Sequence, residues 1–299
     1  MKKRITVFTP TYNRGKLLYR CYESLLRQTN LDFKWLIIDD GSVDDTKEIV
    51  QQWMLENKID IQYIYKKNGG LHTGYNTAIA NLDTELAVCI DSDDWLPDNA
   101  IELILNIWNE IKENDIAGLI GLDYTSDGRL IGDLLPDGEI INPINLLASK
   151  NNRGDKKYVV RTDLYKQVAP MPVYEGEKNF NPHYMILKLS AKYKFVSVNK
   201  PFCIVDYQED GMSANIFKQY MDSPKSFAEL RRVIMSLPEV PFKYLCKTTI
   251  HYISSNIHAG TKGYISKSPR KLLTVLLWPM GWILSKYIRR NGNKVIEVK

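Results

Sequence analysis

An α/β fold follows from the sequence: a mostly parallel sheet with helices on both faces, continued by a basic and apolar helical extension at the C-terminal end. Three features predict it. Strand-length apolar runs alternate with segments whose apolar residues recur at helical spacing. The connections between them are short, as in parallel strands joined by helical crossovers. Clusters of Asp close the second and fourth runs, and in such sheets ligands sit beyond the carboxyl ends of the strands.

The first run is Ile5–Thr9, a buried strand that Pro10 is expected to end. Leu17, Leu18, Cys21, Tyr22, Leu25 and Leu26 follow as one helical face. A second strand is predicted at Phe33–Asp39, stopping at Asp39-Asp40-Gly41-Ser42. Asp44 or Asp45 is placed to cap the next helix, whose apolar face is Ile49, Val50, Trp53 and Met54. A third strand spans Ile61–Tyr65. The loop Lys67-Asn68-Gly69-Gly70 then leads to a helix from about Thr73 to Leu82. The fourth strand, Leu86–Ile90, ends in Asp91-Ser92-Asp93-Asp94. Pro97 opens a helix with Ile101, Ile104, Leu105, Trp108 and Ile111 on one face, and Ile116–Leu122 is a fifth strand. Beyond residue 123 the pattern loosens, with Gly and Asp frequent through 139. A second sheet-and-helix portion is expected between Tyr158 and Asp206.

Composition bounds the class. The 299 residues are 44% hydrophobic and 25% charged, ordinary for a folded protein and enough for a sizeable core. No repeat or low-complexity tract is visible. Cys21, Cys89, Cys203 and Cys246 are far apart and form no C-x-x-C pair, so they read as reduced and mostly buried. The basic start, Met1 to Arg4, is not followed by the apolar core and cleavage site of a signal peptide. A cytoplasmic catalytic portion is expected. Net charge is +5, but residues 240–299 carry eleven Lys or Arg against Glu297 alone, which leaves the preceding part acidic. A basic tail on an acidic body suits an anionic partner surface. No nucleic-acid recognition module is visible and the basic residues alternate with long apolar runs, which favours a membrane over nucleic acid.

Asp91, Asp93 and Asp94 crowd one strand end. Their mutual repulsion asks for a cation, and an oxygen-rich site suits Mg²⁺ or Mn²⁺. Asp93 is the leading ligand, whereas Asp94 and Asp98 serve equally well as helix caps. Asp39-Asp40-Gly41-Ser42 alone is a turn signal. In Thr9-Pro10-Thr11-Tyr12-Asn13-Arg14, Tyr12 suits base stacking and Arg14 suits phosphate. His72, near a helix start, suits an anion or a cap.

Taken together and in this order, the three segments resemble those of the family 2 glycosyltransferases of bacterial surface-polysaccharide type. The resemblance rests on Thr9–Arg14, on Ile38-Asp-Asp-Gly-Ser42 with Asp44 and Thr46, and on Cys89–Asp94 with Pro97-Asp98. Asn68-Gly-Gly and Tyr75-Asn76 with Ala78 agree with it, and it covers about residues 1–125. It implies the Rossmann-like GT-A fold, with residues 1–125 as the nucleotide-sugar-binding half and 126–235 as the acceptor-side half, while the charge and apolar pattern of the tail make 236–299 an expected membrane-associating helical extension. It further implies an inverting hexosyl transfer from a nucleotide diphosphate sugar, by preference a UDP-sugar. Thr9, Pro10, Thr11, Tyr12, Arg14, Asp39, Asp40, His72, Asp91 and Ser92 would face the donor. Asp93 and Asp91 would hold Mn²⁺ or Mg²⁺, which neutralises the departing diphosphate.

The attacking hydroxyl must lose a proton, and a carboxylate is the natural base. The family places one in a Glu-Asp pair in its second half. Here the segment is Tyr174-Glu175-Gly176-Glu177-Lys178, which departs from that pair. Glu177 leads, Glu175 is second, and a plain charged loop is the competing reading. His183 is a minor candidate for metal or phosphate. The segment Asp206–Ser213 is either a lid or a turn. Two other functions compete. A sugar-phosphate nucleotidyltransferase would show a glycine-rich basic loop after the first strand, where this chain has Thr-Pro-Thr-Tyr-Asn-Arg. A silent nucleotide-sugar-binding module would not need Asp91 and Asp93. The acceptor is expected to be a lipid-linked saccharide, reached by peripheral association with the inner face of the cell membrane. The tail carries the apolar segments Leu272–Trp278 and Met280–Leu284 around Pro279, too short and interrupted to span a bilayer but fitted to its surface.

Overall fold

A computed structural model describes residues 2–111, 113, 115–149, 154–206 and 216–292. The first half alternates as the sequence pattern requires: β1 (Ile5–Thr11), α1 (Gly15–Leu26), β2 (Phe33–Asp39), α2 (Thr46–Glu56), β3 (Ile61–Tyr65), α3 (Leu71–Asn81), β4 (Leu86–Cys89), α4 (Ala100–Glu110) and β5 (Ile116–Thr125). The second half contributes β6 (Ile140–Ile141), α5 (Pro143–Ala148), β7 (Lys156–Arg161), α6 (Thr162–Val168), α7 (His183–Ser190) and β8 (Lys194–Val205). Five helices follow: α8 (Ile216–Asp222), α9 (Pro224–Ser236), α10 (Phe242–His258), α11 (Lys271–Leu276) and α12 (Trp278–Asn291).

All eight strands form one sheet, in the order β3-β2-β1-β4-β7-β5-β8-β6. The second-half strands therefore extend the first-half sheet and do not form a second one. β1, β2, β3 and β4 run parallel, as do β5 and β8. β7 is antiparallel to both β4 and β5, and β6 to β8. Period-two alternation splits the strand side chains between two cores. Ile5, Val7, Trp35, Ile37 and Val88 pack with Leu18, Tyr22, Leu25, Val50, Trp53 and Ile104 of α1, α2 and α4. Phe8, Leu36, Ile38 and Ala87 pack on the other face with Tyr75, Ile79, Leu164, Met185 and Ile186 of α3, α6 and α7. On the first face Tyr22 stacks on Trp53 at 4.3 Å, with Trp35 5.9 Å from Trp53.

Several boundaries differ from the sequence reading, each for a physical reason. Pro10 does not end β1, which runs on to Thr11. β4 pairs with β1 only over Ile5–Phe8, so at Pro10 one flank of β1 is unpaired and the missing N–H costs no ladder bond. Met54 is exposed, and α2 buries Val50 and Trp53 instead. Pro97 precedes the helix in a turn closed by Ala100 N–H on its carbonyl, and α4 starts at Ala100. β5 continues past Leu122 to Thr125, which brings Asp123 into the sheet.

Close packing in this sheet is tested at Gly121 of β5. A Cβ there would stand 2.1 Å from the ring of Phe202 on β8, itself fully buried. Gly121→Ala is expected to destabilise the fold by about 1–3 kcal/mol through overpacking. Urea unfolding should show a lower midpoint at an unchanged slope.

Candidate functional site

The carboxyl ends of the adjacent parallel strands β2, β1 and β4 point the same way, so the loops that follow them meet. Hydrogen bonds knit the first two loops into one unit. Asp40 N–H donates to the Thr11 carbonyl at 2.9 Å. Asn13, with φ at 52°, donates its N–H to Ser42 Oγ at 2.9 Å and accepts Val43 N–H on Oδ1 at 2.8 Å. Asp44, not Asp45, receives Thr46 N–H and the Thr46 hydroxyl, and on its other oxygen Gly15 N–H.

Asp39 and Asp40 are both buried. Asp39 accepts from Ser42 N–H at 2.7 Å and from the Tyr63 hydroxyl. Asp40 is shared among four donors: Lys66 Nζ, Asn68 Nδ2, Gly69 N–H at 3.0 Å and Gly70 N–H at 2.7 Å. Gly70 sits at φ 91°, and a Cβ there would meet the Lys178 carbonyl at 2.0 Å. Only glycine fits both conditions. The main chain at Lys178 thus lies on the Gly69-Gly70 turn, and Lys178 Nζ donates to Asn68 Oδ1 at 2.7 Å. His72, in the first turn of α3, is fully buried and neither ring nitrogen makes a hydrogen bond. Burial lowers its pKa. The imidazole backs the turn.

After β4, Asp91 is exposed, Ser92 is buried and Asp93 is partly open. Arg14 reaches across from the first loop, its Nη1 2.7 Å from Asp93 Oδ2. Neither Asp94 nor Asp98 caps α4. Asp98 pairs with Arg27 at 3.0 Å, and Asp94 points inward to Lys157 Nζ at 3.4 Å, with Cys203 Sγ at 3.8 Å. Asp123 lies in the same interior, level with Cys203 on β8, and its Oδ1 has no hydrogen-bond partner. Burial raises the carboxyls of both Asp94 and Asp123, the latter to about 6, while Lys157 opposes the shift. Burial works against the Lys157 charge, but Cys203, Asp123, Asp94 and Asp91 together raise its pKa.

The residues named from sequence thus divide. Tyr12, Arg14, Asp91 and Asp93 face outward or partly so, whereas Thr9, Pro10, Thr11, Asp39, Asp40, His72 and Ser92 are buried. Thr9 Oγ1, for example, accepts Trp35 Nε1–H at 3.0 Å. Glu177 takes a role different from the expected base. Its Oε1 accepts Lys225 N–H at 2.9 Å, and its Oε2 accepts Ser226 N–H at 2.8 Å and the Ser226 hydroxyl at 2.7 Å. It is a buried cap on α9, favoured there by the free N–H groups and dipole of a helix start. Glu175 is exposed in the turn closed by Glu177 N–H on the Tyr174 carbonyl. His183 packs edge-on against Tyr158 with Nε2 unpartnered, and burial lowers its pKa to about 4. Asp206 pairs with Arg20, and 207–213 lie outside the described residues. Lys157 and Asp123 had no readable signal, since each looks like one charge at a strand end.

Among the described residues, no three His, Cys, Asp or Glu side chains are grouped to hold a metal. Asp91 and Asp93 still fit a hard cation that takes one or two carboxylates and completes its shell from phosphate oxygens. Asp93 already engages a positive group, the Arg14 guanidinium.

Comparison with known proteins identifies the family and agrees with the fold. Residues 6–155 match the family model "Glycosyl transferase family 2". The chain is 32% identical over 128 residues to "Glycosyltransferase GlyG" of Streptococcus pneumoniae, covering 42% of this chain and 41% of that protein. It is 38% identical over 102 residues to "Chondroitin synthase" of Escherichia coli, covering 34% of this chain and 15% of that protein. The match thus spans less than half the length of either relative. The fold superposes on S. aureus TarS 1–349 in complex with UDP-GlcNAc with a TM-score of 0.60 at 17% identity, covering 97% of this chain and 88% of that one.

The buried Asp123 makes a pH-dependent prediction. Its folded-state pKa, about 6, lies above the ordinary 3.8. The unfolded chain therefore releases its proton first, and the stability present below pH 4 is lost as pH rises to 6. Asp123→Asn removes that loss. Above pH 7 the variant should be more stable than the parent by up to about 3 kcal/mol, and the difference should vanish at pH 4. Urea melts at both pH values check this.

Proposed function

The chain belongs to glycosyl transferase family 2, and on that premise we propose that it transfers a hexosyl group from a UDP-sugar to an acceptor hydroxyl with inversion at the anomeric carbon. The observation that carries this reading is the Arg14–Asp93 ion pair beside exposed Asp91, at the strand ends where the first two loops also converge. Under this reading the carboxylates of Asp91 and Asp93 would hold a cation and the Arg14 guanidinium would meet phosphate beside it. TarS, solved with UDP-GlcNAc, supports the uridine preference, and Tyr12, exposed on the first loop, would stack on the base. Thr9, Pro10, Thr11, Asp39, Asp40, Ser92 and His72 are buried and would shape the donor site from behind.

Asp93 and Asp91 would hold Mn²⁺ or Mg²⁺, which when bound supplies charge neutralisation for the departing diphosphate. Arg14 contributes to the same end by bonding phosphate oxygens as charge moves onto them. Glu175 takes the general-base role, because its carboxylate is free to meet a hydroxyl while that of Glu177 is committed to α9. As the acceptor oxygen forms its bond to the anomeric carbon, its proton passes to Glu175 and the bond to the diphosphate breaks. A single displacement of this kind inverts the centre. The acceptor we assign is a lipid-linked saccharide of a surface polysaccharide; the chondroitin synthase among the relatives supports polysaccharide synthesis, and the basic, apolar tail is the ground for the lipid link.

Nucleotide-sugar hydrolysis and transfer test this. Asp93→Ala or EDTA should abolish both reactions while circular dichroism is unchanged. Full activity in EDTA overturns the metal assignment, and turnover of nucleoside triphosphate with a sugar phosphate overturns the reaction class. Glu175→Gln should lower kcat about 10²–10⁴-fold without moving the unfolding midpoint. Glu177→Ala should do the reverse, costing about 1 kcal/mol of stability as a lost cap.

A further inference from the structure

The C-terminal helices carry a surface that the transfer chemistry does not use. α11 and α12 bury one side only: Thr274 of α11, and Gly281, Ser285 and Ile288 of α12. At Gly281 a Cβ would stand 2.5 Å from the side chain of Ile253 on α10, so the inner side is built for close approach. The other side is apolar and open. Leu272 and Leu276 are 89% and 75% exposed, and Met280, Trp282, Ile283 and Tyr287 are exposed on α12. Met280, Ile283 and Tyr287 recur at helical spacing on one side of α12, Met280 and Ile283 open and the Tyr287 ring edge-on to Phe217 of α8. Isolated exposed apolar residues need no explanation, but this density on consecutive helices marks a contact surface.

Charge identifies what it contacts. The sequence has no Asp or Glu between Glu239 and Glu297, while Lys267, Lys271, Lys286, Arg289 and Arg290 are exposed around the apolar side. Lys286 Nζ lies 5.3 Å from the Trp282 ring centroid. An aromatic ring carrying a cation at its face suits the depth where acyl chains give way to phosphates. Protein interfaces are depleted in Lys, whereas interfacial helices combine Lys and Arg with Trp and Leu. No helix among the described residues is long and apolar enough to cross a membrane, which leaves docking in the plane. We propose that the outward side of α11 and α12 docks on an anionic lipid surface, with Leu272, Leu276, Met280 and Ile283 at the acyl boundary and the basic residues on lipid phosphates. This is independent of which sugar is transferred, and of whether one is.

The test is co-sedimentation of the full chain with vesicles of phosphatidylcholine alone and of phosphatidylcholine mixed with phosphatidylglycerol. Binding should require the anionic lipid and weaken as salt is raised. Leu276→Glu with Ile283→Glu should lower partitioning about tenfold or more while leaving circular dichroism and donor hydrolysis unchanged, since both side chains are solvent-facing. Lys286→Glu with Arg290→Glu should do so through charge alone, by about tenfold or more. The proposal is overturned if the full chain ignores anionic vesicles, if neutral vesicles bind it equally, or if the folded variants bind undiminished. It is also overturned if gel filtration shows a dimer that these substitutions dissociate, which would make the surface an interface between copies of the chain.

Discussion

The Asp40 carboxylate ties together the loops at the carboxyl ends of the parallel strands. It stands at the close of β2, buried, and gathers the Lys66 ammonium, the Asn68 amide and the N–H groups of Gly69 and Gly70. Through them the entry to α3 is fixed against β2. Through the Gly70 turn, which admits no side chain, the segment carrying Glu175 and Glu177 is fixed against α3. A buried carboxylate with this many donors is costly to disturb, because removing it strands each of them. The arrangement converts a feature of one loop into the relative placement of two halves of the chain.

A second group of charges is less well settled. Asp94, Asp123 and Lys157 lie inside the protein directly behind Asp91 and Asp93, with one Asp123 oxygen lacking any hydrogen bond. Buried charge of this kind is weak as a source of stability and more often serves position or function. Here the positive charge of Lys157 lies under a loop of four residues with three carboxylates. It offsets the repulsion that would otherwise spread that loop, and so supports the outward pair while Arg14 engages Asp93 from the other side.

The C-terminal helices show the same division between an inner and an outer task. Gly281 adapts α12 to α10, and Arg270 bonds the carbonyls of Met235 and Leu237 at the C-terminal end of α9. The extension is thus packed onto the body and not merely tethered to it. Its outer apolar side chains Leu272, Leu276, Met280 and Ile283 stay largely exposed, which is the ground for the docking surface proposed above.

By itself the sequence determined the features that depend on neighbours close along the chain. Strand runs such as Phe33–Asp39 and Ile61–Tyr65 read correctly from their apolar pattern and length. The Asp clusters read correctly as strand ends, because turn chemistry is local. The order of three short segments was enough to reveal the family. Only the tertiary structure decided roles that depend on partners far away in sequence. Glu177 caps a helix that starts 47 residues later, and nothing around Glu177 predicts that helix's position. Lys157 faces Asp94 only because β7 enters the sheet antiparallel between β4 and β5, so that its first residues lie at the carboxyl ends of its neighbours. Pro10 stays within a strand only because β4 stops short beside it. Each is a matter of register and strand order, which a linear pattern of polar and apolar residues does not encode.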